Sequence, residues 1–452
     1  MARRMWKSQS GRISVLATIG IFLFVVASGV AATYLYIPRL YTQKLSANIT
    51  TNAQVPQDDA YQAFIGEVYE KTLNNYFDKI TDEQLSELFR LGVAKLAKAD
   101  AVLPSKDAVG VKVMLGVAIK DKTAPEKKDF TAQLANIVLV NLKPFGRSGI
   151  LSEKQQQALV DTVSNIDHSK DLYAALDLPK AASAQAVDDA FKKKETELAQ
   201  KAKTDPEAKK QLDDATHARN VLTDTKTKQR YDKTGAEPTV VSHLIAPTVA
   251  YIRLQKFSPQ TFDEFVSVAN SIADKPGLDS LIIDLRDNIG GAVDLLQYFL
   301  GPFIGPGQYG YEFWHKGDLT PYKTKTGWLA SLAKYKKVVV LVNGKTQSSA
   351  EVMTTTMKKY RVGVIVGTTT KGWGTIEQLI PLDHQIDGEQ KYSMLLVQSI
   401  TVRDDGQPIE GKGVDPMIKI TDKDWEKQLR AYFDYPPLVQ ATKKAWDTPP
   451  SQ

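Results

Sequence analysis

Two short stretches in the C-terminal half of the chain combine residue types that can carry out acyl transfer. The apolar run at residues 338–342 leads into Asn343-Gly344-Lys345-Thr346-Gln347-Ser348-Ser349-Ala350-Glu351, and residues 352–360 read as a helix. A serine between the end of a strand and the start of a helix sits where free backbone N–H groups and the helix dipole favour developing negative charge. A second apolar run, residues 281–285, ends in Arg286-Asp287-Asn288-Ile289-Gly290-Gly291. A Gly-Gly pair after a strand lets the backbone approach closely and offers a further N–H donor. Together the two stretches could form a nucleophile and an oxyanion hole for acyl transfer. Serine caps a helix far more often than it attacks a carbonyl, so spacing alone leaves both readings open.

The elements that must hold these stretches in place alternate between strand and helix from about residue 240 to 420. Residues 249–254 read as a strand, 262–272 as an amphipathic helix, 281–285 and 338–342 as buried strands, and 362–366 as a further strand before Gly367 and a loop over 368–374. Such alternation predicts an α/β domain.

Several separated motifs occur here in order: Tyr251-Ile252-Arg253-Leu254, Leu285-Arg286-Asp287-Asn288-Ile289-Gly290-Gly291, Val342-Asn343 with Ser348-Ser349-Ala350-Glu351, Val364-Ile365-Val366-Gly367, Gly372-Trp373-Gly374-Thr375 and Gly411-Lys412-Gly413-Val414-Asp415-Pro416. Over about 180 residues this set resembles the carboxy-terminal processing (tail-specific) proteases, peptidase family S41. The resemblance implies a core of the ClpP/crotonase-like type and a serine nucleophile with a lysine base. It also implies polypeptide substrates cut near the C-termini of exported proteins. By position it makes Ser348 the nucleophile, and it gives the oxyanion hole to the N–H of Ser349 and the Gly290-Gly291 turn.

Two departures bear on mechanism. The family's lysine stands between two glycines, and that place here is Gly372-Trp373-Gly374; the nearest lysine is Lys371. On an extended segment, residues two apart share a face, so Lys371 is the candidate replacement. A lysine serves as a base only if burial favours its neutral form. Glu377 stands where a supporting glutamine is usual, and Gln378 follows it. The family's PDZ domain, which captures substrate tails, is not recognisable ahead of Tyr251. The leading expectation is a serine endopeptidase using Ser348 and Lys371. Its alternatives are a pseudoprotease, acting as a membrane-tethered binding scaffold that has lost its base, and a hydrolase with His243 or His384 and a carboxylate as the base.

The slot before the α/β region holds a Lys- and Ala-rich helical segment, residues 167–236. Its opening, Asp171-Leu172-Tyr173-Ala174-Ala175-Leu176-Asp177-Leu178-Pro179, and its close, Ala218-Arg219-Asn220-Val221-Leu222-Thr223-Asp224 with Gln229-Arg230-Tyr231-Asp232-Lys233-Thr234-Gly235, resemble a J-domain. The family's His-Pro-Asp motif should fall near Ala199-Gln200-Lys201 and is missing from the chain, so Hsp70 is not an expected partner. Residues 59–166 read as mostly helical, with Thr81 as a helix cap, and show no chemical site.

The N-terminus carries a strong physical signal. No charged residue lies between Arg12 and Arg39, and residues 13–36 form an apolar run long enough to cross a hydrocarbon core of about 30 Å. Arg3, Arg4, Lys7 and Arg12 precede it, a basic flank that stays cytoplasmic. The expected product is a single-pass protein of the bacterial cell membrane, with a cytoplasmic tail (1–12), a transmembrane helix (13–36), a tether (40–58) and the bulk outside. A cleaved signal peptide is the competing reading, because Ala27, Gly29, Ala31 and Ala32 lie near the exit. The α/β domain should span 240–425, followed by a tail over 426–452. The 452 residues hold 58 Lys and Arg against 52 Asp and Glu, a mild and scattered excess that does not suggest nucleic acid. There is no cysteine, which excludes disulfides and thiolate sites. The five histidines lack helical metal-pair spacing, so neither metal nor cofactor is expected.

Overall fold

A computed structural model describes residues 57–403 and 405–450. The expected cytoplasmic tail, transmembrane helix and most of the tether lie outside these residues. No helix among the described residues is long and apolar enough to cross a membrane.

Among helices of nine residues or more, four open the described chain: α1 (Gln57–Asn75), α2 (Asp82–Ala97), α3 (Ala108–Ile119) and α4 (Ala124–Val140). Thr81 begins α2 with a reciprocal cap, accepting from the Gln84 N–H at 3.2 Å while its own N–H donates to Gln84 Oε1 at 3.0 Å. The helices bury Phe64, Ile65, Val68, Leu85, Phe89, Leu115, Leu134 and Leu139. Strand β1 (Gly149–Ser152) and helix α5 (Glu153–Ser164) follow.

Residues 167–236 then form a small helical unit with its own core of Leu172, Tyr173, Leu176, Val187, Phe191, Ala218 and Leu222. Its helices are α6 (Ala184–Leu198), α7 (Pro206–Thr223) and α8 (Thr225–Thr234). A bridge between Ile166 and Ala236 brings its two ends together, so the unit is inserted without separating the flanking elements.

The α/β part begins with β2 (Val240–Ala246), β3 (Val249–Leu254), α9 (Thr261–Ala273) and β4 (Ser280–Asp284). It continues through β5 (Tyr309–His315), β6 (Asp318–Lys323), β7 (Lys337–Val342), α10 (Ser349–Lys359) and β8 (Val364–Gly367). It ends with β9 (Thr375–Pro381), β10 (Tyr392–Thr401), β11 (Ile418–Lys419), α11 (Trp425–Phe433) and α12 (Pro436–Asp447). Six strands form one sheet in the order β11-β8-β7-β4-β3-β2, parallel except for the edge strand β2. One face packs Phe265, Met353 and Met357 from α9 and α10. The other packs Leu429, Leu438, Val439 and Ala445 from α11 and α12. The tail expected over 426–452 is therefore corrected: most of it is helical and lays an apolar face on the sheet, because a parallel sheet is apolar on both faces and needs cover on both. Arg286 helps fix that cover, donating to the carbonyls of Ala445 and Trp446 while also pairing with the buried Asp284.

The second sheet runs β1-β10-β5-β6, with β9 also on β10. Ile150 lies opposite Met394 in antiparallel register. Ile380, Met394, Leu396 and Val397 join the core of the N-terminal helices. Two strands within the stretch assigned to the α/β region thus complete a core begun some three hundred residues earlier, and chain from the N-terminal region, at Arg147, reaches the loop that carries Trp373.

Candidate active site

Ser348 joins β7 to α10 with φ 56° and ψ −128°, a backbone region that L-residues avoid and that costs of order 1–3 kcal/mol. The serine is thereby held on a sharp strand-to-helix turn at the N-terminus of α10. Its N–H donates to Glu351 Oε2 at 2.9 Å. Ser349 starts the helix, and its Oγ donates to the Gly291 carbonyl at 2.9 Å.

The glycine turn packs directly against the serine. Gly290 and Gly291 have φ of 87° and 134°. A Cβ on Gly290 would stand 2.6 Å from Ser348 Cβ and 3.0 Å from its Oγ, and a Cβ on Gly291 would collide with the Phe257 carbonyl. Neither position tolerates a side chain. The oxyanion expectation needs one correction: the Gly290 N–H is already spent on Asn288 Oδ1, at 2.8 Å. The N–H groups of Gly291 and Ser349 have no hydrogen-bond partner among the described residues. These two are the donors left for an oxyanion beside Ser348.

Three residues without an assigned role in the sequence hold this geometry. Asn288 is fully buried; its Nδ2 donates to the Leu254 carbonyl and its own carbonyl accepts from the Gln347 N–H, each at 2.9 Å. Glu351, also fully buried, accepts from Thr370 Oγ1 and, at 2.8 Å, from the Gly372 N–H through Oε1. Through Oε2 it accepts the N–H groups of Ser348 and Trp373, the latter at 2.8 Å. Burial pushes the Glu351 carboxyl above its ordinary range, and the four donors pull it back. One carboxylate therefore ties the serine to the loop where the base is expected. The Ser348-x-x-Glu351 spacing was a visible cap signal, but the partners at 370–373 were not.

The third is Arg147, from the N-terminal region. Its guanidinium lies 3.5 Å from the centre of the Trp373 ring and pairs with Glu410 Oε1 at 3.0 Å. Glu410 Oε2 in turn accepts the Gly374 N–H at 2.7 Å. Trp373 Nε1 donates to Glu377 Oε1 at 3.0 Å, and Thr375 Oγ1 donates to the same oxygen. Burial holds Glu377 above the ordinary carboxyl range. Gln378 lies on β9 with its Oε1 buried and unpartnered among the described residues.

Lys371 donates its N–H to the Thr346 carbonyl at 2.9 Å, which brings its backbone beside the serine loop. Its side chain is exposed, with Nζ 5.1 Å from the centre of the Trp373 ring. The burial that a lysine base requires is thus absent from this arrangement. The alternative histidines lie elsewhere: His243 stacks on Tyr251 with ring centres 4.7 Å apart, and His384 Nδ1 is 3.1 Å from Glu67 on α1. Among the described residues no cluster of three or more His, Asp or Glu could hold a metal ion.

A strained serine at a helix N-terminus, with one free N–H on the glycine turn and one at the helix start, can stabilise a tetrahedral oxyanion. Residues 248–420 match the profile of Peptidase family S41. The region therefore has an S41 protease-like fold. A carboxy-terminal-processing protease of Bartonella bacilliformis is 27% identical over 184 residues, 40% of this chain and 40% of that protein. The carboxy-terminal processing protease CtpA of Bacillus subtilis is 28% identical over 214 residues, 46% and 42% of the two chains. A probable CtpA-like serine protease of Staphylococcus epidermidis is 31% identical over 174 residues, 38% and 34%. The matches span about two fifths or less of these relatives' own length. Among solved structures, the photosystem II D1 C-terminal processing protease aligns at 15% identity and a TM-score of 0.45, over 81% of this chain and 93% of that one.

Proposed function

We propose that the chain is a serine endopeptidase of the S41 carboxy-terminal processing kind that cuts unstructured tails of exported polypeptides. The observation that carries this reading is the strained Ser348 packed against the Gly290 turn, with the N–H groups of Gly291 and Ser349 unpartnered among the described residues. In the proposed step, Ser348 Oγ bonds to the scissile carbonyl carbon and its proton passes to a neutral Lys371 amine. The oxyanion accepts from Gly291 and Ser349. Collapse breaks the C–N bond as the lysine returns the proton to the leaving amine, and water then releases the acyl group by the same route. A substrate strand lying over the exposed Lys371 would exclude water from it and favour the neutral amine. Substrate would then complete the base.

The proposed setting is a bacterial cell membrane, with residues 13–36 crossing it, residues 1–12 in the cytoplasm and the bulk outside. The uncharged run and its basic flank support that orientation. Shaving intact cells with an external protease should remove the bulk of the chain; survival until lysis would reverse it.

The catalytic reading is tested with a serine-directed phosphonate and an unstructured polypeptide substrate. Ser348 should be labelled, and Ser348→Ala and Lys371→Ala should each abolish turnover. No labelling from neutral to alkaline pH, with turnover absent and indifferent to Lys371→Ala, would instead establish a membrane-tethered scaffold without a base.

A further inference from the structure

The S41 match covers residues 248–420, and Arg147 lies outside it, in the N-terminal region. The backbone around Arg147 is held from two directions. The Gly146 N–H donates to the Val140 carbonyl at the end of α4, at 2.8 Å, and Ser148 Oγ accepts the Val397 N–H of β10 at 3.1 Å. Strand β1 then begins at Gly149, opposite Leu395. Arg147 thus reaches the loop that carries Trp373 from a fixed base.

Residues 372–374 of that loop present three consecutive N–H groups, and two carboxylates accept them. Glu351 takes those of Gly372 and Trp373, each at 2.8 Å, and Glu410 Oε2 takes that of Gly374 at 2.7 Å. The Gly411 N–H donates back to the Gly372 carbonyl at 2.9 Å, and a Cβ on Gly374 would stand 2.3 Å from the Glu410 nitrogen. The loop is therefore gripped by Glu351 on one side and by the Glu410 segment on the other. The other oxygen of Glu410 belongs to Arg147, whose Nε lies at 3.2 Å and a terminal nitrogen at 3.0 Å. Arg147 and Glu410 are only 18% and 15% exposed, and a carboxylate so placed is costly without its cation. The same guanidinium lies 3.5 Å from the centre of the Trp373 ring. A planar guanidinium can cover an aromatic face and donate to a carboxylate at once, which the point charge of a lysine does less well.

We infer that Arg147 is a positioning residue of the serine site: by pairing with Glu410 it fixes the backbone of residues 372–374, and through Glu351 that backbone fixes the Ser348 turn. This rests on the serine-peptidase reading proposed above. Ser348 and Trp373 donate to the same oxygen of Glu351, so a shift of the loop moves the carboxylate that holds the serine N–H. Arg147 touches no reacting atom. A peptidase domain cut free of the N-terminal region would carry every motif of the family and still lack this brace.

The test uses the full chain. Arg147→Met keeps an apolar stem but loses the charge and the donors, and Arg147→Lys restores the charge. Arg90→Ala, which removes a surface pair with Glu87 on α2, is the control. Each variant is assayed well below its unfolding midpoint, so that folded proteins are compared. In Arg147→Met, phosphonate labelling of Ser348 should slow by about tenfold or more. For an unstructured polypeptide kcat should fall by a similar factor, while KM should change by less than about twofold. Arg147→Lys should recover about a third or more of the natural labelling rate, and Arg90→Ala should keep all of it. Glu410→Gln should slow labelling too, and adding it to Arg147→Met should cost less than the product of the two single effects, because both act on one loop. An arginine that serves only stability would lower the midpoint of Arg147→Met yet leave the folded protein labelled at the natural rate, which would overturn the inference. A raised KM with kcat kept would make Arg147 a substrate contact and overturn it as well, as would single effects that multiply. Should Arg147→Met fail to fold, Glu410→Gln decides: labelling at the natural rate there overturns the inference. No labelling of the natural protein would overturn the peptidase reading and this inference with it, whereas natural labelling that Arg147→Met matches overturns this inference alone.

Discussion

Replacing Ser348 by glycine should make the protein more stable than replacing it by alanine. At φ 56° and ψ −128° any residue with a Cβ is strained by about 1–3 kcal/mol, and alanine retains that Cβ while glycine does not. Glycine gives back about 0.4–1 kcal/mol through the greater freedom of the unfolded chain. The expected difference between Ser348→Gly and Ser348→Ala is therefore about 1 kcal/mol in favour of glycine, although glycine normally destabilises a folded backbone. Both variants lose the hydroxyl, so comparing them cancels every contribution of Oγ and isolates the backbone. Urea midpoints followed by tryptophan emission measure the difference, with one probe for both because a chain this long need not unfold in one step. Equal midpoints, or a less stable glycine variant, would show that the serine turn is unstrained and would remove strain from the argument for a nucleophile.

Gly290→Ala should abolish phosphonate labelling of Ser348 and lower stability by about 1–3 kcal/mol, because its Cβ would stand 2.6 Å from Ser348 Cβ; an active, labelled alanine variant would contradict the packing. Glu351→Gln should cost about 3 kcal/mol or more, since an amide turns an N–H₂ toward two of the four donors now satisfied; the unfolding midpoint measures it, and a shift under about 1 kcal/mol would refute the clamp. Glu377 keeps its proton in the folded chain at pH values where the unfolded chain has released it, because burial raises it. The folded state therefore loses stability as pH rises from the ordinary carboxyl range through that raised value. Glu377→Gln cannot ionise, so its stability relative to the natural protein should improve as pH rises above the ordinary carboxyl range; a constant difference in unfolding midpoints from acid to mildly alkaline pH would refute it.

What could be read from the sequence follows the range of the interactions. The strands at 249–254, 281–285 and 338–342 appear within a residue or so of their expected bounds, because a parallel strand buried on both faces is a run of apolar residues whatever its neighbours. The Thr81 cap is equally local. The pairing of β1 with β10 left no such trace, since Ile150 and Met394 carry no mark of each other. The two helices from Trp425 onward were missed for a related reason. Their apolar faces are short, and only the bare second face of the sheet shows why they must pack. At the site, residue types and glycines gave the serine turn, but not which glycine N–H is free. That depends on Asn288 Oδ1 taking the first one.

The base is where local and distant information meet. Glu351 Oε2 accepts both the Ser348 and the Trp373 N–H, so those two nitrogens lie within roughly 6 Å of each other. The frame that sets residue 373 beside the serine is made by backbone groups and a carboxylate, and it stays in place whatever side chain residue 373 carries. The Trp373 side chain is engaged on two sides, by Glu377 at its indole N–H and by Arg147 over its ring. An indole N–H donates but does not accept a proton, so residue 373 contributes shape where a base would contribute chemistry. Lys371 leaves the same loop from a backbone fixed to Thr346 and brings its Nζ to 5.1 Å from the centre of that ring. The aromatic surface gives its ammonium a partner in the free protein. On the proposed reading, a substrate strand that covers Lys371 has to displace water without strengthening that cation–π contact. Competition between Trp373 and substrate for Lys371 would, on that reading, decide whether this site turns over.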